Sequence, residues 1–419
     1  MTKELVSFQV GTHHLNDNPH LNYQLNRTIM WSGGSLDELR PVAARIKDHC
    51  SWENELISLG QRALSEGRMV QAIAYYRMAE FFMFEGNPRK LEIYRKARTL
   101  FYNHYAQLFE DGTIVRKSIP CENGRLPIWF SLPENKPAKD VILLHGGNDS
   151  YIEEFLPVIL YLRQNGFAVY LFEGPGQGEV LREQGIPFTP EWEKPVRKIL
   201  DEFNLDDVTI VGISLGGMLA PRAAAYEKRI KRVVAWSIFP NFLDILVATR
   251  KKSLQKIVRL LLSLKAKPLI NLILKRQMRK DPLAKWGIEH GMYNLGAKSG
   301  YDYLVKADRF QINNVAHLID QDFLLLGASR DHFIPVEFYK AEIDQLINVH
   351  SMTYRLFTAK ESAENHCTAG NTKLALDTIM NWIEFVKAHS PNPHLARRAD
   401  RQLHIADGMI VNDANGRGS

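Results

Sequence analysis

The run Val208-Thr209-Ile210-Val211-Gly212-Ile213-Ser214-Leu215-Gly216-Gly217 restricts the possible folds more than any other part of the chain. Its first half is β-branched and apolar, the composition of a buried strand. A G-x-S-x-G turn follows, and Met218 to Ala225 then reads as the opening of a helix. Side chains at the two turn glycines would collide with the neighbouring strand and helix, and the serine between them is forced into a strained, exposed conformation. A bare G-x-S-x-G also occurs as an ordinary flexible turn. Reading Ser214 as a nucleophile therefore needs three other parts: a glycine turn upstream, then an acid and a histidine downstream.

The upstream turn is His145-Gly146-Gly147-Asn148, which follows the apolar run Val141-Ile142-Leu143-Leu144. Glycines let backbone N–H groups approach a developing anion, so one oxyanion donor is expected at Gly147 or Asn148 and the other at Leu215. A plain strand-end turn is the competing reading of the same residues. Downstream, the apolar run Phe323 to Gly327 leads to Asp331, and a polar loop after Met352 to Phe357 carries His366. The order Ser214, Asp331, His366, each after a successive strand, is that of a serine nucleophile, an orienting acid and a general base. His332 adjoins Asp331 within one turn and cannot easily face both the acid and the serine. Asp320 and Asp322 precede their strand and read as surface residues. Cys367 reads as an inert buried cysteine.

Around these motifs, strands alternate with helices: Ile114 to Pro120 and Leu126 to Leu132 as a pair, then the strands ending at Leu144, Phe172, Val211 and Ile238. Continuous apolar strands in alternation with helices predict a mostly parallel sheet covered on both faces, an α/β fold. The loop Gly174-Pro175-Gly176-Gln177-Gly178 is G-x-G-x-G after a middle strand, so a dinucleotide site is disfavoured and a turn on the site's rim explains it.

Residues 1–26 carry His13, His14 and His20 without an apolar period and read as a polar leader rather than a metal site. Residues 27–111 have helical spacing throughout, dense in aromatics at Tyr75, Tyr76, Phe81, Phe82 and Phe84. No fixed period recurs, so one helical domain is expected there rather than a repeat array. The α/β core is expected over 112–240 and 321–389, a helical insertion over 241–320, and a disordered tail over 390–419.

The sheet, the serine turn, Asp331 and His366 resemble the α/β-hydrolase superfamily from Ile114 to His389. The helical N-terminal region with Trp52 and Tyr75-Tyr76-Arg77-Met78-Ala79-Glu80, the Glu173 to Gly178 loop and Asn365-His366-Cys367 narrow the likeness. They resemble the branch of 2,6-dihydroxypseudooxynicotine hydrolase-like and FrsA-like proteins and related hydrolases of fungal polyketide pathways. The resemblance implies a Ser–Asp–His hydrolase without cofactor or metal, often a homodimer, with the helical domain helping to cover the pocket. It further implies cleavage of esters or of carbon–carbon bonds next to a carbonyl, or closure of lactams or lactones.

Charge singles out the insertion. The formal net charge is +6, yet Ile245 to Lys280 holds eleven Lys and Arg and no Asp or Glu, leaving −5 for the remainder. A nucleic-acid role for the whole chain is therefore disfavoured. Ile257, Leu260, Leu261 and Leu264 lie on one helical face, with Lys252, Lys256 and Arg259 on another. Three roles compete for this segment: a cap over an apolar pocket, a peripheral contact with an anionic membrane, or attraction of an acidic substrate or partner. Trp286, Tyr293, Tyr301 and Tyr303 fit either an aromatic-substrate pocket or core packing. Three widely separated cysteines, no apolar h-region and no run of about 18 apolar residues predict a cytoplasmic protein without a disulfide framework.

The sequence thus points to a serine hydrolase acting on a small to medium apolar or aromatic ester or ketone. A peptidase or a lactone- or lactam-forming acyltransferase on the same triad is the alternative within enzymes. A non-catalytic binding protein on the hydrolase scaffold is the alternative from another class.

Overall fold

The computed structural model describes residues 6–134, 137–237, 239–248, 252–389, 402–404 and 412–413. Six helices come first: α1 (Pro19–Met30), α2 (Leu36–Ala43), α3 (His49–Ser65), α4 (Met69–Ala79), α5 (Pro88–His104) and α6 (Ala106–Glu110). They enclose a core of their own, centred on Trp52, Tyr75, Tyr76 and Phe82. The expected leader is shorter than its predicted limit, because α1 already begins at Pro19. Asn18 caps its first turn, and Leu21, Leu25 and Ile29, four residues apart, face the helical core.

The central sheet contains β1 (Val115–Cys121), β2 (Gly124–Ser131), β3 (Val141–His145), β4 (Ala168–Phe172), β5 (Val208–Ile213), β6 (Ile230–Trp236), β7 (Asp322–Ala328) and β8 (Ser351–Phe357). Their order is β1-β2-β4-β3-β5-β6-β7-β8. The hairpin β1–β2 joins β4 antiparallel, and every pairing from β4 through β8 is parallel. The expected disordered tail mostly lies outside the described residues. Within it, β9 (Gln402–His404) pairs parallel with β8, and β10 (Asn412–Asp413) pairs antiparallel with β9. Asp322 is not on the surface as expected. It opens β7, is buried, and accepts a hydrogen bond from Ser351 Oγ at 2.6 Å.

Helices cover both faces of the sheet. α7 (Leu156–Gln164) lies on one side; α8 (Gly178–Arg182), α9 (Glu193–Glu202) and α10 (Gly216–Tyr226) follow in sequence. The insertion comprises α11 (Phe242–Val247), α12 (Lys252–Ser263), α13 (Lys267–Lys280), α14 (Pro282–Asn294) and α15 (Gly300–Asp308). The chain closes with α16 (Val336–Gln345) and α17 (Thr372–His389). Two apolar cores result, one holding α9, α10, α15 and α16 and the other α7 and α17. The strand order reverses between β3 and β5, since β4 lies to one side and β6 to the other. A crevice opens at the carboxyl ends of strands at such a switch point. Both the glycine turn after β3 and the serine turn after β5 end there.

Candidate active site

Ser214 follows β5 with φ +60°, a left-handed backbone that a non-glycine residue adopts only under constraint. The flanking glycines are explained by contact. A Cβ on Gly212 would lie 1.9 Å from Gly216 O, and one on Gly216 would lie 2.6 Å from Gly146 O. The serine turn is therefore pressed against its own helix on one side and against the upstream glycine turn on the other. Gly147 completes that contact, since its Cβ would lie 2.7 Å from Ser214 Cβ and 2.9 Å from Leu215 N.

The structure brings Ser214, Asp331 and His366 into one file. His366 Nε2 is 2.9 Å from Ser214 Oγ, and His366 Nδ1 is 2.7 Å from Asp331 Oδ2. Asp331 Oδ1 accepts from the N–H groups of Phe333 and Ile334 at 2.9 and 3.0 Å, which fixes the carboxylate. Burial works against an ionised His366, but the Asp331 carboxylate outweighs it and holds the imidazole pKa well above its ordinary value. Burial likewise raises Asp331, and the imidazole with the two backbone donors brings its pKa below the usual range. His332 is not in this file. Its ring packs 3.9 Å from Phe333 and 4.8 Å from Tyr23, and burial next to His366 pushes its pKa down to about 3. Cys367 is buried, and its N–H donates to Ser237 Oγ at 3.2 Å.

The three expected oxyanion residues meet at the same place but are not equivalent. Gly147 N–H donates to Ser150 Oγ at 3.3 Å. Among the described residues, Leu215 N–H and Asn148 N–H have no protein acceptor. The upstream turn is held from behind by Gln177 of the Gly174–Gly178 loop, whose Nε2 donates to Gly146 O at 2.7 Å and Gly147 O at 3.1 Å. Gln177 Oε1 in turn accepts from Gly174 N–H at 2.9 Å. His145 is a second brace. Burial depresses its pKa to about 3, so the ring is neutral. Trp192 Nε1 donates to its Nε2 at 3.2 Å, which leaves the proton on Nδ1, 3.1 Å from Gly146 O.

A pocket of about 240 Å³ opens above Ser214 and His366, walled by Phe239, Phe242, Leu246, Trp286, Tyr303 and Phe333. Of the four insertion aromatics, Trp286 and Tyr303 line it, while Tyr293 and Tyr301 do not. A larger cavity of about 420 Å³ lies between the helical domain and α7, but it holds none of Ser214, Asp331 or His366. The smaller pocket is therefore the candidate site.

Several of its residues escape the sequence reading. Tyr23 of α1 reaches in and donates to His366 O at 3.3 Å. The Asn18-Pro19 start and the four-residue spacing of Leu21, Leu25 and Ile29 were the available signals for that helix. Asp149, next to the Gly146–Asn148 turn, collects contacts from three elements. Arg27 of α1 and Arg77 of α4 donate to its carbonyl at 3.0 and 2.8 Å, and His290 of α14 lies 2.5 Å from its carboxylate. His290 Nδ1 is also 2.9 Å from Glu85, and Asn294 Nδ2 donates to Asn148 Oδ1 at 3.3 Å. Burial opposes charge on His290, and the two carboxylates prevail, raising its pKa. Nothing in the local sequence marks His290.

A family profile described as the alpha/beta hydrolase fold matches residues 140–363, more than half of the chain. The chain belongs to this family. Alpha/beta hydrolase psoB of Aspergillus fumigatus is 32% identical over 265 residues, covering 53% of this chain and 59% of psoB. Hydrolase acrC of Aspergillus aculeatus is 32% identical over 221 residues, covering 46% of this chain and 51% of acrC. The match thus spans between half and three fifths of these two relatives. Among solved structures, AbyA5 is similar with a TM-score of 0.63 at 16% identity, covering 86% of this chain and 94% of AbyA5. The 2,6-dihydroxy-pseudo-oxynicotine hydrolase is similar with a TM-score of 0.57 at 18% identity, covering 86% and 95%. Both likenesses extend over the helical N-terminal region as well as the sheet, and at these identities they concern the fold.

Proposed function

We propose that this α/β-hydrolase-fold protein is a serine hydrolase that cleaves an ester, or a carbon–carbon bond beside a carbonyl, in a small to medium apolar or aromatic substrate. The observation that carries the reading is the Ser214–His366–Asp331 file at 2.9 and 2.7 Å on the floor of a pocket with mainly apolar walls. Ser214 Oγ bonds to the carbonyl carbon as its proton passes to His366 Nε2. The resulting oxyanion accepts from Leu215 N–H and Asn148 N–H, with Gly147 supplying the close approach rather than the second donor. His366 then delivers its proton to the departing alkoxide or enolate. Water, deprotonated by the same imidazole, releases the acid and restores Ser214. Asp331 holds the ring and stabilises the imidazolium. No cofactor is needed for these steps.

The experiment that tests this is labelling with a fluorophosphonate. A stoichiometric adduct on Ser214, absent in Ser214→Ala, is expected. Folded protein that takes up no label would leave the binding-protein reading instead. Ser214→Ala should lower turnover of any accepted ester by about 10⁴-fold or more. An ester series of varied acyl length, run beside β-diketones, reads which bond is cleaved, and peptide or lactone products would reassign it.

A further inference from the structure

Helices α12 and α13 project from the insertion with an unusual surface. Leu254, Ile257, Leu260 and Leu264 recur at steps of three, three and four along α12 and into the turn after it, and all four are exposed. On α13, Leu269, Leu272 and Ile273 are exposed, while Ile270 faces inward. Leu264, at the turn between the two helices, is 66% exposed and has Lys265 and Lys267 beside it. Helices of a soluble surface normally turn such a stripe toward a core. Here Val258, Leu261 and Leu262 already do that, so the exposed stripe is additional.

The charge around it has one sign. The nine described cations of the two helices and their turn are Lys252, Lys256, Arg259, Lys265, Lys267, Lys275, Arg276, Arg279 and Lys280, and no carboxylate lies among them. Of these nine, among the described residues, Arg259 alone is ion-paired, to Asp244 at 2.5 Å and Asp308 at 3.5 Å. A second copy of this chain brought face to face would set these cations against their own kind, whereas an anionic surface would complement them. Exposed leucines flanked by lysines suit the boundary between lipid headgroups and acyl chains, where the apolar side chains enter and the ammonium groups stay with the phosphates.

We propose that the α12–α13 hairpin docks on anionic lipid bilayers, inserting Leu260 and Leu264 at its tip. The inference goes beyond the hydrolytic reading and does not depend on it.

The test is co-sedimentation of the full chain with vesicles of phosphatidylcholine carrying about 30% phosphatidylglycerol, against vesicles of phosphatidylcholine alone. Binding only to the anionic vesicles is expected, weakening about tenfold or more when salt is raised from about 0.1 M to about 0.5 M. The variants Leu260→Ser/Leu264→Ser and Lys256→Glu/Lys265→Glu/Lys267→Glu each lose that binding. All five side chains are exposed, and retained fluorophosphonate labelling or an unchanged thermal transition checks their folding. Equal binding to neutral vesicles, or binding that both variants retain, overturns the proposal. So does a stable homodimer that Leu260→Ser/Leu264→Ser converts to monomer, because it assigns the face to a second copy.

Discussion

At the scale of single residues, the proposed chemistry hangs on how His366 is poised. Its pKa is raised because a buried carboxylate faces it, so the neutral imidazole that can accept the Ser214 proton appears only as pH rises through that value. kcat/KM should therefore climb with pH along one limb whose midpoint lies above the ordinary histidine value of about 6.5. Asp331→Asn removes the raising charge and leaves the burial that lowers the pKa. The limb should move to lower pH while kcat falls about 10⁴-fold, read from pH–rate profiles. An unmoved limb would mean that another group titrates. Gln177 offers a second check of the proposed oxyanion turn, because its amide is the donor to both Gly146 O and Gly147 O. Gln177→Leu should lower kcat by about tenfold to a hundredfold with little change in KM, as expected for a turn displaced from the position of the transition-state oxygen. A rise in KM alone would instead make Gln177 a binding-pocket residue.

At the scale of elements, α14 fastens the insertion to the turn that carries Asn148 and Asp149. His290 is clamped between Glu85 and Asp149, and the Trp286 ring stacks on it at 4.8 Å and 10°. A group whose folded pKa is raised stabilises the protein fully below its unfolded pKa and loses that contribution as pH rises through the folded value. The stability gap between wild type and His290→Asn should thus be widest below about pH 6.5 and narrow as the solution becomes alkaline, measured by urea unfolding. A gap constant with pH would show that the imidazole is not charged. Elements also explain which parts of the site can be read from sequence. Ser214, Asp331 and His366 follow the parallel strands β5, β7 and β8, so the sheet places them at the same carboxyl edge. Tyr23 and His290 meet the site through helix packing. Tyr23 lies 343 residues from His366 in the chain, and no local pattern encodes that distance. The leader reading failed at Pro19 because the polar Asn22, Gln24 and Asn26 obscure a stripe of only three apolar residues, Leu21, Leu25 and Ile29.

At the scale of the whole molecule, the helical domain and the α/β core meet on one buried set of charges. Arg77 of α4 forms ion pairs with Glu154 at 2.5 Å and Glu80 at 3.0 Å, and its guanidinium lies 3.8 Å from the Tyr151 ring centre. Arg27 of α1 completes the group with a 2.6 Å pair to the other oxygen of Glu154. Both arginines also donate to Asp149 O, so the helical domain holds the turn that carries Asn148. Buried pairs of this kind are not strong stabilisers in themselves, but breaking one strands a charge. Arg77→Met should therefore cost about 3–5 kcal/mol of unfolding free energy, because the buried carboxylates of Glu154 and Glu80 each lose a partner. Arg77→Met/Glu80→Gln/Glu154→Gln removes the charges on Glu80 and Glu154 but leaves Arg27 without its carboxylate, so only part of that loss should return. Turnover should not recover with it, because Asp149 O still lacks the Arg77 donor and the proposed oxyanion turn loses one of its braces. Stability and activity that return together in the triple variant would make the network a purely structural join between the helical domain and the core.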